Sequence, residues 1–233
     1  MCVAAIAWQA DPRWPLLVIA NRDEFHHRPT APLARWDSGI AAGRDLEAGG
    51  TWLGAAEGRF ALVTNRRADG YPRTGMVSRG GLVPAALLGD PAGDTAAMNP
   101  FNLFECSPTE AFLTTNYPAF ERRALAPGLH SVSNGALDEP WFKKQAVEAA
   151  LAAWLRAPGP LEALFGPLAD DTRDPAEPDS HYAAVFVRNE TYGTRCSTVV
   201  AVDADGRGTI IERSFDSQAR STGECRIGFG WSR

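Results

Sequence analysis

The stretch MCVAAIAWQADPRWPLLVIANRDE, residues 1–24, holds two apolar runs, 2–8 and 16–20, separated by QADPRWP. The Asp-Pro between them is a turn signal, so the two runs predict a buried hairpin. Four polar residues, Asn21, Arg22, Asp23 and Glu24, follow the second run and fall at the end of its strand. Removal of Met1 would leave Cys2 with a thiol and a free α-amine at the start of that hairpin, whereas a retained Met1 would block the amine. An N-terminal nucleophile of this kind can use its α-amine as general base, because that group titrates near pH ~7.7–8.0. It also needs a cation or donor to favour the thiolate, a carboxylate to orient the amine, and donors for the tetrahedral oxyanion. Taken alone, a cysteine at position 2 is more often an inert buried thiol.

Further along the chain, TWLGAAEGRFALVTN reads as a second hairpin turning at Glu57-Gly58, and residues 26–50 read as irregular. GLVPAALLG reads as a short helix with proline in its first turn. NLFECS and TEAFLTTN read as strands. Trp141, Phe142, Val147, Leu151, Trp154 and Leu155 recur at helical spacing, and Asp138 and Pro140 supply a cap and a first turn. PGPLEALFGPLADDTRDPAEPDS reads as a short helix followed by an acidic, proline-rich loop. HYAAVFV and STVVAVDADGRGTIIERSF complete the set as strands around an Asp-Gly turn. Strands that are apolar at nearly every position need cover on both faces. Two sheets between helical layers satisfy this need, and the fold class expected is α+β in a single domain over 1–233.

The bulk numbers narrow the function. The chain has 233 residues, a net charge of −5 and a pI near 5.4, which argue against a general nucleic-acid binder. No run approaches the ~18 apolar residues of a membrane span, and no basic residue precedes CVAAIAW as in a secretory signal. The four cysteines form no CxxC pair, so no metal site or disulfide framework is expected. The expectation is a cytoplasmic protein with reduced thiols and no stable membrane insertion. Arg22 and Asp23 would point to opposite sides of an extended backbone, so one can face Cys2 while the other braces the loop. Asn65 and Asn134 end strand-like runs and can donate to an oxyanion, although turn-forming asparagines are as common. Arg195 opens a late strand and can clamp an anionic group.

LVIANRDEFHHRP, GRDLEAGGTWLG, ALVTN, SVSNGALDEPWFK and YGTRCSTVVAVDADGRGTIIERSF together resemble the NRDE family, the Transport and Golgi organisation protein 2 family. The likeness extends from residue 1 to about 216. It implies a four-layer αββα sandwich of the N-terminal-nucleophile hydrolase type, similar to choloylglycine hydrolases and penicillin V acylases. By that likeness Cys2 is the nucleophile, Arg22 and Asp23 tune and orient it, and Asn134 and Asn65 form the oxyanion hole. Asn21, Glu24, Trp52 and Arg195 are implied as substrate-binding residues. The amidases separate their Arg and Asp by two residues. Asn21 and Glu24, at that spacing, therefore compete with Arg22 and Asp23 for the place facing the thiol. The implied activity is hydrolysis of an amide C–N bond in a small acylated substrate. The alternative is a non-catalytic carrier of haem, acyl-CoA or acyl lipid on the same fold. Haem ligands would come from His26, His27, His130, His181, the cysteines or the methionines, and arginines such as Arg22, Arg66, Arg67 and Arg195 would pair with phosphates.

Overall fold

The computed structural model describes residues 2–137, 139–177, 180 and 182–232. The opening hairpin forms as expected, with β1 (Val3–Asp11) antiparallel to β2 (Trp14–Phe25) and Val3 opposite Asn21. β2 is longer than its apolar run. Residues 21–24 lie inside the strand rather than after it, because β11 (Tyr192–Val202) pairs with β2 along its whole length. With β10 (Gly128–Val132), β12 (Arg207–Phe215) and β13 (Ser221–Gly230), these strands form a six-stranded sheet ordered β10-β1-β2-β11-β12-β13.

The second hairpin is β5 (Leu53–Ala56) and β6 (Arg59–Asn65), turning at Glu57-Gly58 with Gly58 at φ 64°. It belongs to a seven-stranded sheet of sequential order. The other strands are β3 (Thr30–Arg35), β4 (Ala41–Asp45), β7 (Phe101–Cys106), β8 (Ala111–Thr115) and β9 (Glu121–Ala124). The segment 26–50 is thus not irregular, since it supplies both β3 and β4. All the strand pairs of both sheets are antiparallel, which makes this an α+β protein.

Parity along the strands sorts the core. Even residues of the hairpin (Ala4, Ile6, Leu16, Val18) cluster with Leu53, Phe60, Leu62 and Phe104 of the other sheet. Odd residues (Val3, Ala5, Leu17, Ile19) cluster with Val147, Leu151, Trp154 and Leu155 of α2 (Phe142–Arg156) and with Phe165 and Leu168 of α3 (Phe165–Leu168). On the far side of the seven-stranded sheet, Ala61, Val63 and Leu103 pack against Leu82, Val83 and Leu87 of α1 (Leu82–Leu88). The strands are apolar at successive positions because each sheet has neighbours on both faces.

Two local readings differ. α2 begins at Phe142 with Trp141 as its N-cap, so Pro140 precedes the helix; Asp138 lies outside the described residues. The segment 182–187 is buried but forms bends rather than a strand. The Phe186 N–H donates to the Asp170 carbonyl and the Val187 N–H to Thr194 Oγ1, so its backbone is satisfied without a ladder. His181 lies outside the described residues.

Candidate functional site around Cys2

Cys2 immediately precedes β1 and shares the even parity that faces the other sheet, where it packs against the inter-sheet core. It lines a cavity of about 620 Å³ together with Arg22, Asp23 and Glu24 of β2, Trp52, Asn65, Arg79 and Arg195. The structure thus brings together seven of the nine sequence candidates: Cys2, Arg22, Asp23, Glu24, Trp52, Asn65 and Arg195. Asn21 and Asn134 do not line it.

A β-bulge in β11 sets what lies opposite the β2 motif. Asp23 stands opposite Thr194 and Arg22 opposite Cys196, with Arg195 as the extra residue between them. The bulge reverses the alternation of β11 locally, so Thr194 meets the odd face of β2 while Cys196 stays with the inter-sheet core. Thr194 Oγ1 donates to Asp23 Oδ1 at 2.8 Å, and the Tyr192 hydroxyl donates to the Asp23 carbonyl at 2.8 Å. Asn21, on the same odd face, is tied up on the helix side. Its Nδ2 donates to the carbonyls of Leu168 and Val185, and its Oδ1 accepts from Ser197 Oγ. Of the two competing pairs, Arg22, Asp23 and Glu24 line the cavity, whereas Asn21 fastens the sheet to the helical layer.

Arg22 extends into the cavity side. Its Nη2 lies 3.7 Å from both Glu24 Oε2 and Asp45 Oδ2. Arg28 anchors the same carboxylates, with Nε 2.7 Å from Asp45 Oδ2. Burial pushes the Cys2 thiol up from its ordinary range, and the Asp23 carboxylate pushes it further; the Arg22 guanidinium and the Asp23 backbone N–H act in the opposite, thiolate-favouring direction. Burial also pushes the Asp23 carboxyl up, against the positive amino terminus first and then Lys143, the Thr194 hydroxyl and Arg22.

The remaining candidates have prior commitments. Asn134 is fully buried, and its Nδ2 donates to the Asn65 carbonyl at 2.7 Å. That bond ties Asn134 to Asn65, which lines the cavity while Asn134 does not. Arg195 Nη1 donates to the carbonyls of Phe25, His26 and Arg28, clamping the turn after β2.

Several lining residues carried no signal in the sequence. Glu212 is 5% exposed, and its Oε1 accepts the Leu33 N–H at 2.7 Å. Burial pushes its carboxyl up, against that N–H, Cys196, Arg22 and Ser214. Arg79, from the segment before α1, donates to the Pro100 carbonyl and feels the charges of Cys2 and Glu24 without a carboxylate in ion-pair contact among the described residues. Cys196 and Cys225 also line the cavity. Among the described residues no group of three or more His, Cys, Asp or Glu side chains is placed to hold a metal ion.

The family model described as Transport and Golgi organisation 2 matches residues 1–217. The Bos taurus "Transport and Golgi organization protein 2 homolog" is 33% identical over 260 residues, covering 92% of this chain and 93% of the bovine protein. The Homo sapiens protein of the same name is 32% identical over 280 residues, covering 97% of each. The match takes in the Cys2 start, the β2 motif and the bulged β11 strand, and by its extent the chain belongs to the Transport and Golgi organisation 2 family.

Proposed function

We propose that the chain is an N-terminal-nucleophile cysteine hydrolase of four-layer αββα architecture, cleaving the amide C–N bond of a small acylated substrate. The observation that carries this reading is Cys2 at the edge of an inter-sheet cavity with Arg22 and the Asp23 backbone N–H beside its sulfur. Cys2 Sγ attacks the carbonyl carbon, the C–N bond breaks, and the amine departs with a proton returned by the α-amine of the matured chain. Water then hydrolyses the thioester. Arg22 favours the thiolate, Asp23 orients the amine, and Asn65, which lines the cavity, is the oxyanion donor. Asn134 acts by holding Asn65 in place. Trp52 and the arginines receive the acyl group and any anionic end. The protein is expected to work in the cytoplasm on a free small molecule rather than on nucleic acid; no helix of the described residues is long and apolar enough to cross a membrane.

A second reading rests on Arg79 and Arg195, which line the cavity and feel Glu24 without a carboxylate in ion-pair contact among the described residues. It is a carrier whose cavity takes an acyl chain while these arginines pair with a phosphate, as in acyl-CoA or an acyl lipid. Haem fits less well. His26 and His130 spend Nε2 on backbone carbonyls, and no described histidine lines the cavity. The test is intact-mass spectrometry of protein from its native host after incubation with medium-chain N-acyl amides. Loss of the Met1 mass and an acyl adduct mapped to Cys2, absent in Cys2→Ala, is the expected result. A retained Met1, with turnover undiminished or absent alike in both proteins, would refute the hydrolase and leave acyl-CoA titration to decide the carrier.

A further inference from the structure

Lys143 is a buried cation that the chemistry above leaves unused. Its side chain is fully buried at the start of α2, and its Nζ has no hydrogen-bond acceptor among the described residues. An ammonium there is doubly disfavoured, by lost hydration and by the positive end of the helix dipole. Its neighbour Lys144 shows what a lysine placed for stability does in the same turn: its Nζ donates to the carbonyls of Ala136, Leu137 and Glu139. Lys143 instead points its charge at Asp23, with Nζ 3.9 Å from Oδ2, and lies 4.5 Å from the centroid of the Trp141 ring. Methionine would fill the same volume without the desolvation cost. Packing alone therefore does not explain a cation at this position.

The position explains more. Asp23 lines the cavity with Cys2 and its charge acts on the thiol, while Lys143 meets the Asp23 carboxylate from outside the cavity lining. We propose that Lys143 is a positioning residue of the Cys2 site, whose ammonium keeps Asp23 ionised and offsets that carboxylate's repulsion of the Cys2 thiolate. This rests on the reading of Cys2 as a reactive thiol. A counter-cation held behind the sheet does this without meeting the substrate or forming an amide with it.

Burial lowers the Lys143 pKa, against the attraction of Asp23 and Cys2 and with the repulsion of Arg67 in the loop after β6. Cys2 in turn feels the positive amino terminus, Asp23 and Arg22 from β2, Lys143 from α2, Arg79 from the segment before α1, and Cys196 from β11. Removing the Lys143 cation while Asp23 stays ionised must raise the thiol pKa. Removing the Asp23 anion must lower it.

The test is the pH dependence of Cys2 alkylation by iodoacetamide, mapped by peptide mass spectrometry to separate it from Cys225. In Lys143→Met the inflection is expected at higher pH, with alkylation at pH 7.5 slowed roughly three- to tenfold, the effect of up to about one pKa unit. Lys143→Arg keeps the charge and restores most of the rate; Asp23→Asn moves the inflection the other way. A Lys143→Met protein that loses stability but keeps the wild-type inflection overturns the proposal. Should that variant fail to fold, the wild-type background still decides, because Lys143 and Lys144 are the chain's two lysines. Lysine side-chain carbon NMR then gives two resonances. The proposal expects one of them to titrate at lower pH in Asp23→Asn and in the alkylated protein than in the untreated wild type. Two resonances unmoved by either change overturn it. A wild-type Cys2 that resists alkylation sinks the nucleophile reading, and the lysine titration still decides whether Lys143 and Asp23 are coupled.

Discussion

At the scale of single residues, the cavity is governed by charges that burial makes expensive and neighbours make tolerable. Glu212 shows the consequence for stability. Its folded carboxyl is pushed above the ordinary 4.5 by burial, so between 4.5 and the folded value the native state holds more protons than the unfolded one. Stability contributed there falls as pH rises through that window, and the loss is complete above it. Each unit of difference is worth about 1.4 kcal/mol. Glu212→Gln keeps an acceptor for the Leu33 N–H and removes the titration. The stability of the variant relative to wild type is therefore expected to improve between pH 4 and pH 8 in urea denaturation. A gap that stays constant, or grows in favour of wild type, would mean that burial does not raise the Glu212 carboxyl. Residue-scale chemistry was only partly legible in the sequence. The adjacency of Arg22 and Asp23 told that they point to opposite sides, but not that both would line the cavity or that a bulge at Arg195 would bring Thr194 against Asp23. Lys143 was invisible, since a lysine in the first turn of an amphipathic helix reads as solvated.

At the scale of elements, the strongest sequence signals were runs buried on both faces. β1, β2, β5, β6, β11 and β12 announce themselves by consecutive apolar residues. β3 and β13 lie at sheet edges, mostly exposed and carrying glycine, proline or charges, so neither apolar periodicity nor β-branched content marks them. The opposite error arose at 182–187, where an apolar run packs as bends because side chains and a distant carbonyl satisfy its backbone. The family stretch GRDLEAGGTWLG has its own element-scale explanation. Gly50 lies against the backbone of Gly80, and the Thr51 N–H donates to the Gly80 carbonyl at 3.0 Å. A Cβ on Gly50 would fall on that carbonyl group, so the loop before β5 and the segment bearing Arg79 approach as closely as they do only with glycine. Gly50→Ala is expected to cost about 3 kcal/mol, at the upper end of overpacking effects because the obstacle is backbone. The urea midpoint measures it; a loss within about 0.5 kcal/mol, the range of surface substitutions, would mean the two segments separate freely.

At the scale of the molecule, the two sheets are joined by one inter-sheet core, and β13 helps close it although it lies beyond the residue 217 at which the family match ends. Cys225 on this strand lines the cavity, and Phe229 and Trp231 join the inter-sheet cluster with 9% and 5% exposure. Backbone bonds fasten the end of the strand on two sides. The Gly58 N–H in the β5–β6 turn donates to the Gly230 carbonyl, and the Trp231 N–H donates to the Gly206 carbonyl, both at 2.9 Å. Arg35 of β3 also donates to the Gly228 carbonyl. The C-terminal strand therefore acts as a clasp between sheets rather than as an appendage to one. Trp231→Ala removes a large ring from a cluster fed by both sheets, a change that costs about 3–5 kcal/mol when the site cannot collapse. Because the cluster is shared, the loss is expected as a single urea transition moved to lower midpoint, with far-ultraviolet and near-ultraviolet circular dichroism changing together. Two separate transitions, or a cost below about 1 kcal/mol, would show instead that the sheets hold together without the clasp and that the cavity between them does not depend on it.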